Sequence, residues 1–193
     1  MKFLLIGIFI VFFLLLIVAI YKISELKSVN YNQPEFLADK KILTIYFSNN
    51  GNTKCVAQNI NNIIGGDIKE IELVENYPKN IFAMSNLTRK QMKDGYLPKI
   101  KDVDISNYDI IFIGSPVWNF SISLPVKTFL NNNNFDNKIL IPFFTYSGGA
   151  NQNKIVKEIE NITGVNSIKR PLFMFENGII LTKEQIIKWL NNI

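Results

Sequence analysis

Residues 41–60 read KILTIYFSNNGNTKCVAQNI, and the periodicity of their apolar residues changes within this stretch. The first seven residues are apolar or β-branched on both faces, which is typical of a strand that is buried on both sides of a sheet. From Thr53 onward, apolar residues recur every three to four positions, which predicts a helix of about three turns. Asn-Gly usually indicates a hairpin turn, but the helical period after it favours a helix entrance at SNNGNT.

The helix that begins near Thr53 is predicted to end at Gly65-Gly66, because glycine commonly terminates helices. The next residues, DIKEIELV (67–74), alternate apolar and charged side chains, as an edge strand does. Strand, helix and strand therefore form the first unit of the domain.

The same patterns continue along the chain. Buried-type strands are predicted over 108–114 and 138–149, and a strand interrupted by Pro171 over 168–175. Helices are predicted over 123–132, 153–162 and 182–193, whereas 79–101 is charged and only weakly helical. Five strands that alternate with helices predict an α/β fold with a doubly wound parallel sheet, because parallel strands need crossover connections.

Composition excludes several classes of function. The chain of 193 residues contains no histidine and a single cysteine, Cys55, so histidine bases, Ser-His-Asp triads, structural zinc sites and intrachain disulfides are excluded. We therefore expect no catalytic side chain and no metal site, and any redox chemistry must come from a bound cofactor. The net charge of +5 is scattered, which argues against nucleic acid as a partner.

The amino-terminal run FLLIGIFIVFFLLLIVAI (3–20) is apolar and uncharged over 18 residues. As a helix it would extend ~27 Å, close to the thickness of a bilayer core. A cleaved signal peptide is the alternative, but its apolar part is normally shorter and ends at a small-x-small site. We therefore predict a single-pass membrane anchor over 1–21, a linker over 22–40 and one domain over 41–193. Lysines flank the run on both sides, so they barely decide on which side of the membrane the domain lies, and the cytoplasmic side is slightly favoured.

Three loops are predicted to follow strands of the sheet: SNNGNT (48–53), SPVWNFS (115–121) and TYSGGANQ (145–152). Ligands of open parallel sheets bind where the carboxyl ends of the strands meet diverging loops. All three loops carry small hydroxyl or amide residues and a glycine or proline, and two carry an aromatic residue. We therefore expect them to form one site.

SNNGNT opens a helix, so its backbone N–H groups and the positive helix end favour an anion such as phosphate. Ser48, Thr53 and the asparagines between them add neutral hydrogen-bonding groups. The loop matches neither GxxxxGK[ST] nor GxGxxG. A capped turn without a ligand remains the alternative.

Trp118 and Tyr146 supply aromatic rings in the other two loops. Such rings at a pocket rim can stack on a flat ring system while nearby backbone amides bond its polar edge. The alternative for Trp118 alone is an ordinary core or surface aromatic residue. Its expected place beside a phosphate loop favours the role in ligand binding.

From about Lys41 to its end, the sequence resembles the flavodoxins and flavodoxin-like FMN proteins. The resemblance rests on three segments: YFSNNGNTKCVAQNI, similar to the family's S-x-T-G-N-T phosphate loop; YDIIFIGSPVWNFSISLPVKTFL, similar to its G-x-P-x-W segment with a following P-x-x-x-F-L helix; and ILIPFFTYSGG, similar to its third flavin loop. It implies a flavodoxin-like five-stranded sheet of order 2-1-3-4-5 and non-covalent FMN. It also implies a set of cofactor-binding residues: Ser48, Asn49, Asn50, Gly51, Asn52, Thr53, Pro116, Val117, Trp118, Asn119, Tyr146, Ser147, Gly148 and Gly149.

The function implied by the resemblance is electron transfer by an FMN protein, with a redox partner protein or a small electron acceptor. The apolar run 3–20 adds the predicted membrane anchor to this function. One alternative is an FMN-dependent NAD(P)H or quinone oxidoreductase, in which residues 77–101 cover the flavin as a lid. A second alternative is a flavin-free binding or sensory module. Two features depart from the family pattern: Asn50 stands where the phosphate loop usually has Thr, and the chain is basic rather than acidic.

Overall fold

The computed structural model describes residues 11–17, 30–78, 80–165, 168–176 and 182–193. The chain divides into two compact units, Met1–Asn30 and Tyr31–Ile193. Within the first unit, residues 11–17 form a helix with exposed side chains. The second unit contains the predicted domain.

The predicted membrane anchor is not found among the residues that the structure describes. None of the helices formed by the described residues is long and apolar enough to cross a bilayer. Of the predicted span 3–20, residues 11–17 are described, and they are helical. Residues 3–10 and 18–20 lie outside the described part of the chain.

The second unit alternates strands and helices. After a short 3-10 helix, Glu35–Leu37, its described residues form the strands β1 (Ile42–Tyr46), β2 (Asp67–Glu70), β3 (Ile110–Trp118), β4 (Ser121–Ile122), β5 (Ile139–Tyr146) and β6 (Leu172–Phe175). The helices are α1 (Asn52–Ile64), α2 (Ile81–Lys93), α3 (Leu124–Asn132), α4 (Gln152–Thr163) and α5 (Thr182–Leu190).

The sheet has the strand order β2-β1-β3-β5-β6, and all four pairs of neighbours are parallel. The two-residue strand β4 lies off this path and pairs antiparallel with the end of β3. Without β4, the order along the chain is 2-1-3-4-5, so the predicted doubly wound α/β topology is confirmed.

Each face of the sheet carries its own buried cluster. Leu43 and Ile45 pack on one face with side chains of α3 and α4, such as Phe129 and Ile159. The alternate residues of the central strands point to the other face: Ile42, Tyr46, Ile110 and Phe112. They pack there with side chains of α1 and α5: Val56, Ile60, Ile186, Trp189 and Leu190. The two-sided burial explains why the central strands read as continuous apolar runs.

Two elements differ from the sequence-based prediction. The edge strand ends at Glu70 rather than at residue 74, because the chain turns away and Leu73 pairs antiparallel with Ile100. In the weakly helical segment, α2 forms 13 residues of helix. Its N-cap, Asn80, accepts hydrogen bonds from the backbone N–H groups of Phe82 and Ala83 at 3.0 and 3.1 Å, which satisfies two otherwise free donors.

Gly114 allows the central strands to approach closely. A Cβ atom at this position would lie 2.3 Å from Cζ of Phe143, which is its cross-strand neighbour on β5, and 2.8 Å from Cβ of Tyr46 on β1. The ring of Phe143 therefore occupies the space that any larger residue would need.

We predict that Gly114→Ala lowers the free energy of unfolding by about 1–3 kcal/mol, because overpacking forces the ring of Phe143 and the strands apart. Urea denaturation followed by circular dichroism measures this change. Gly148→Ala is the matched control, because the space around Gly148 is open and its φ is not positive. Equal stability of the two variants would contradict the packing role of Gly114.

Candidate functional site

The loop between β1 and α1 forms a helix entrance, as the sequence predicts. Gly51 is the N-cap of α1 and has φ +88°, a left-handed conformation in which glycine is favoured. Its backbone N–H donates to Oγ of Ser48 at 3.1 Å, which closes the loop. The first N–H groups of α1 lack intrahelical partners and point out of the helix end, so this loop can receive an anion.

Thr53 connects this loop to the carboxyl end of β5. The Oγ1 atoms of Thr53 and Thr145 lie 2.9 Å apart, and both residues are only 1% exposed. A buried hydroxyl without a partner is costly, so this hydrogen bond keeps the start of α1 against the end of β5.

The predicted loop 115–121 is wrong at five of its seven residues, because residues 115–118 belong to β3 and Ser121 belongs to β4. β3 continues through Trp118, and Trp118 pairs with Ser121 across a two-residue hairpin. Asn119 and Phe120 form its turn with φ of +49° and +62°, the signs that a type I′ turn requires. Phenylalanine is rare in this conformation and is strained there.

Polar contacts from neighbouring helices hold the hairpin. Ser115 is buried on β3, and its Oγ accepts the backbone N–H of Ser123, the N-cap of α3, at 2.9 Å. The carboxylate of Glu158 on α4 accepts hydrogen bonds from Oγ of Ser121 at 2.7 and 2.9 Å. Lys127 pairs with the same carboxylate at 2.6 Å. These contacts fix the end of the hairpin against α3 and α4.

The third loop follows β5. Tyr146 packs edge-on against Phe175, with ring centroids 5.4 Å apart. Gly149 lies under the ring of Phe120, since a Cβ at Gly149 would be 2.9 Å from Cε1 of that ring. The second and third loops therefore touch each other through Phe120 and Gly149.

A groove of about 170 Å³ lies where the three segments converge. Nine predicted cofactor-binding residues line it: Ser48, Asn49, Asn50, Asn52, Thr53, Pro116, Val117, Trp118 and Ser147. The other five predicted residues are near the groove in sequence but are not among its lining residues: Gly51, Asn119, Tyr146, Gly148 and Gly149. The role of all fourteen residues in cofactor binding stays a prediction.

Trp118 also belongs to an aromatic cluster beside the groove. Its ring contacts Phe47 and Tyr77 edge-on, with centroids 5.5 and 5.4 Å apart. The hydroxyl of Tyr77 donates to Oε1 of Gln91 at 2.9 Å, and burial raises the pKa of Tyr77 to about 12. The tyrosine is therefore protonated at neutral pH, and it joins Trp118 to α2.

Helix α2 lies against the groove and the hairpin turn. Met84 lines the groove. Nε of Arg89 donates to Oδ1 of Asn119 at 3.3 Å, and Nδ2 of Asn119 lies 3.7 Å from Sδ of Met92. The sequence suggested this segment as a lid, and the structure places α2 beside the residues that would contact a flavin ring.

The groove contains few charges. Among its described lining residues, Glu176 is the single charged one. Lys54, in the first turn of α1, lies 3.4 Å from the carboxylate of Glu70, which also accepts a hydrogen bond from the hydroxyl of Tyr46. Burial, followed by the nearby Glu70, raises the pKa of Tyr46 to about 12, so it remains a donor. An anion in the groove would be held mainly by neutral donors.

Three lining residues were not among the predicted cofactor ligands: Met84, Thr145 and Glu176. Thr145 had a usable signal, because a hydroxyl residue at the end of an apolar strand is unusual in a core. Met84 lies in the segment 77–101 that the sequence suggested as a lid, whereas Glu176 had no comparable signal. Their positions depend on how α2 and the end of β6 pack against the sheet.

The family described as Flavodoxin matches residues 41–193 of this chain. Among solved structures, the flavoprotein in complex with FMN from Lactobacillus acidophilus NCFM is similar at 28% identity, covering 70% of this chain and 91% of that chain, with a TM-score of 0.56. A flavoprotein from Bacteroides uniformis is similar at 25% identity, covering 76% and 97%, with a TM-score of 0.63. No curated protein sequence matches this chain.

We predict that Thr53→Val and Thr145→Val each lower the free energy of unfolding by about 1–3 kcal/mol, because each leaves one buried hydroxyl without its partner. The double variant should lose less than the sum of the two, since it removes both hydroxyls. Urea denaturation of the four proteins gives the coupling energy. Additive losses would show that the two hydroxyls are not coupled.

Proposed function

Because the chain belongs to the flavodoxin family, we propose that the groove binds FMN non-covalently and that the protein transfers electrons through it. The observation that supports this most directly is the convergence of a helix entrance and a tryptophan-bearing strand end on one groove. FMN, when bound, supplies the redox chemistry, and the protein supplies binding, orientation and electrostatics.

The loop 48–53 fits a phosphate group. Its glycine N-cap is already in the left-handed conformation, and its side chains are hydroxyls and amides. The amide of Asn49 donates to Oδ1 of Asn50 at 2.9 Å, so the Nδ2 group of Asn50 is available to donate to a ligand. We infer that Asn50 takes the place of the usual threonine as a neutral donor.

The segment Pro116–Trp118 fits a flat ring. Trp118 is half-buried in the groove wall, and its other contacts are edge-on with Phe47 and Tyr77. Aromatic rings bind flat ligands by stacking or edge contacts, and their bulk excludes water from one side of the ligand. Asn119 and the backbone of the third loop would contact the polar rim.

The size of the groove limits how much of the ligand is enclosed. Its volume of about 170 Å³ is below the ~300–1,000 Å³ typical of ligand pockets. The groove would therefore enclose only part of a flavin nucleotide. Electrons can leave through an exposed ring edge without any side-chain acid or base, which agrees with a site made mainly of neutral residues.

A second candidate function is an FMN-dependent oxidoreductase acting on NAD(P)H or a quinone. The position of α2 favours it, because Met84 lines the groove and could contact a small substrate. Steady-state oxidation of NAD(P)H by the FMN-loaded protein distinguishes this candidate from an electron carrier. Failure to bind FMN at all would instead favour a flavin-free binding module.

Membrane attachment belongs to the same proposal. It is supported by the uncharged apolar run 3–20 in the sequence. The flanking lysines favour a cytoplasmic domain on a single-pass anchor. The acceptor would then be a redox protein or a small molecule that reaches the membrane surface.

We predict that Asn50→Asp weakens FMN binding at least tenfold and changes riboflavin binding less than twofold. Aspartate keeps the acceptor for Asn49 but replaces an N–H donor with a negative oxygen, which repels phosphate. Titration of flavin fluorescence measures both affinities. The control is Asn132→Asp, which makes the same chemical change at the exposed end of α3.

Equal weakening of FMN and riboflavin by Asn50→Asp would contradict a phosphate site in loop 48–53. Weakening by Asn132→Asp would assign the effect to net charge. Asn50→Thr restores the family pattern, and FMN should bind this variant at least as tightly as it binds the original protein.

We expect the full chain to remain in the membrane fraction after washing at high salt and at high pH. A variant that lacks residues 1–29 should appear in the supernatant, because it has lost the apolar run. Immunoblots of the two fractions measure the distribution. Release of the full chain by the washes would contradict the anchor.

A further inference from the structure

The outer face of α2 is formed by Phe82, Asn86, Arg89, Lys90 and Lys93. These five residues recur every three or four positions, so they lie on one side of the helix. All five are exposed, whereas Met84, Thr88, Gln91 and Met92 on the opposite side are buried or half-buried. The helix therefore shows one face to the groove and the other to solvent.

Three cations are concentrated on this outer face. Arg89, Lys90 and Lys93 occur within five residues, and α2 itself contains no carboxylate. Among the described residues, the lysines in ion pairs are Lys54, Lys101, Lys127 and Lys188. The outer face of α2 therefore carries unpaired positive charge, although Asp94 follows at the end of the helix.

Stabilisation of the helix explains only part of this pattern. Lys90 and Lys93 lie in the last turn, where cations interact favourably with the helix dipole. That effect does not account for Phe82, which is 78% exposed near the start of the helix. Phenylalanine and arginine are both enriched at protein interfaces, and this face exposes one of each, Phe82 and Arg89.

The outer face is also close to the groove. Arg89 belongs to this face, and its Nε donates to Asn119 at the hairpin turn. One turn before it, Met84 lines the groove from the opposite side of the same helix. A partner bound to the outer face of α2 would therefore adjoin the hairpin turn that follows Trp118, and Trp118 lines the groove.

We propose that the outer face of α2 is the docking surface for a redox protein with a carboxylate-rich patch around its own electron-transfer site. The proposal rests on the proposed function, because it supplies the partner of the same flavin site. Opposite charges would steer the two proteins together, and Phe82 would provide the apolar contact.

The dimensions favour a protein over a small anion. Phe82 and Lys93 are 11 residues apart, about 16 Å along a helix, which is wider than one small molecule can cover. A lipid surface is less suited, because membrane-surface helices need a continuous apolar stripe. Among the α2 side chains whose burial is described, the large apolar ones that are exposed, Phe82 and Leu87, are too few for such a stripe.

The experiment measures binding of the full chain, in a neutral detergent and without FMN, to a strongly acidic plant-type ferredoxin by isothermal calorimetry. We expect binding that weakens steeply as salt rises from about 20 to 200 mM, because salt screens surface charges. Lys90→Glu/Lys93→Glu should weaken it at least tenfold, and Phe82→Ala should weaken it at least threefold. Circular dichroism verifies that each variant folds.

The matched control is Lys40→Glu/Lys157→Glu, which makes the same charge change at exposed lysines outside α2 and should change affinity less than twofold. Equal losses in both double variants would overturn the proposal in favour of net charge. Absence of ferredoxin binding would also overturn the proposal. So would an α2 double variant that loses binding to anionic phospholipid vesicles but keeps its affinity for ferredoxin. FMN binding is measured in a separate titration of the same samples. A protein that binds ferredoxin but does not bind FMN would refute the proposed function and leave the docking surface intact.

Discussion

The parallel register of the three central strands determines where the site lies. Tyr46 pairs with Gly114, and Gly114 pairs with Phe143, so β1, β3 and β5 run side by side and end at the same edge of the sheet. The three strands pack this closely because Gly114 has no side chain, which leaves room for the ring of Phe143. β3 continues for four residues beyond Gly114, and β5 continues for three residues beyond Phe143. The helix entrance, the hairpin and the third loop therefore surround one groove, and the Thr53–Thr145 hydrogen bond holds its two sides together.

Much of this arrangement could be predicted because it depends on local patterns. The change from a continuous apolar run to a helical period at Thr53 identified β1 and α1, and Gly51 has the left-handed conformation that a helix entrance there requires. The alternation of strands and helices predicted a parallel sheet covered on both faces, whereas the order of its strands came from the resemblance to the flavodoxins. Nine of the predicted site residues line the groove for the same reason, since the ends of neighbouring parallel strands must be close together.

The remaining features depend on tertiary contacts. Asn-Gly at the helix entrance resembled a hairpin, whereas the actual hairpin turn is Asn119–Phe120, which no standard turn signal marks. That turn is held from outside the segment, by Glu158 on α4 and by contact of Phe120 with Gly149. Helix α2 has a weak apolar pattern, and its position depends on contacts with Asn119 and Tyr77. The places of Met84 and Glu176 in the groove follow from such packing, which a sequence pattern does not contain.

The central claim is that a groove of mainly neutral side chains at the carboxyl edge of the sheet is an FMN site. Its most direct test is thermal unfolding of the purified protein with increasing FMN, with riboflavin in parallel. A ligand that binds only the folded state must stabilise it in proportion to the logarithm of its concentration. The account predicts that Tm rises continuously with FMN and rises less with riboflavin, which lacks the phosphate. A Tm that does not change with FMN would contradict it.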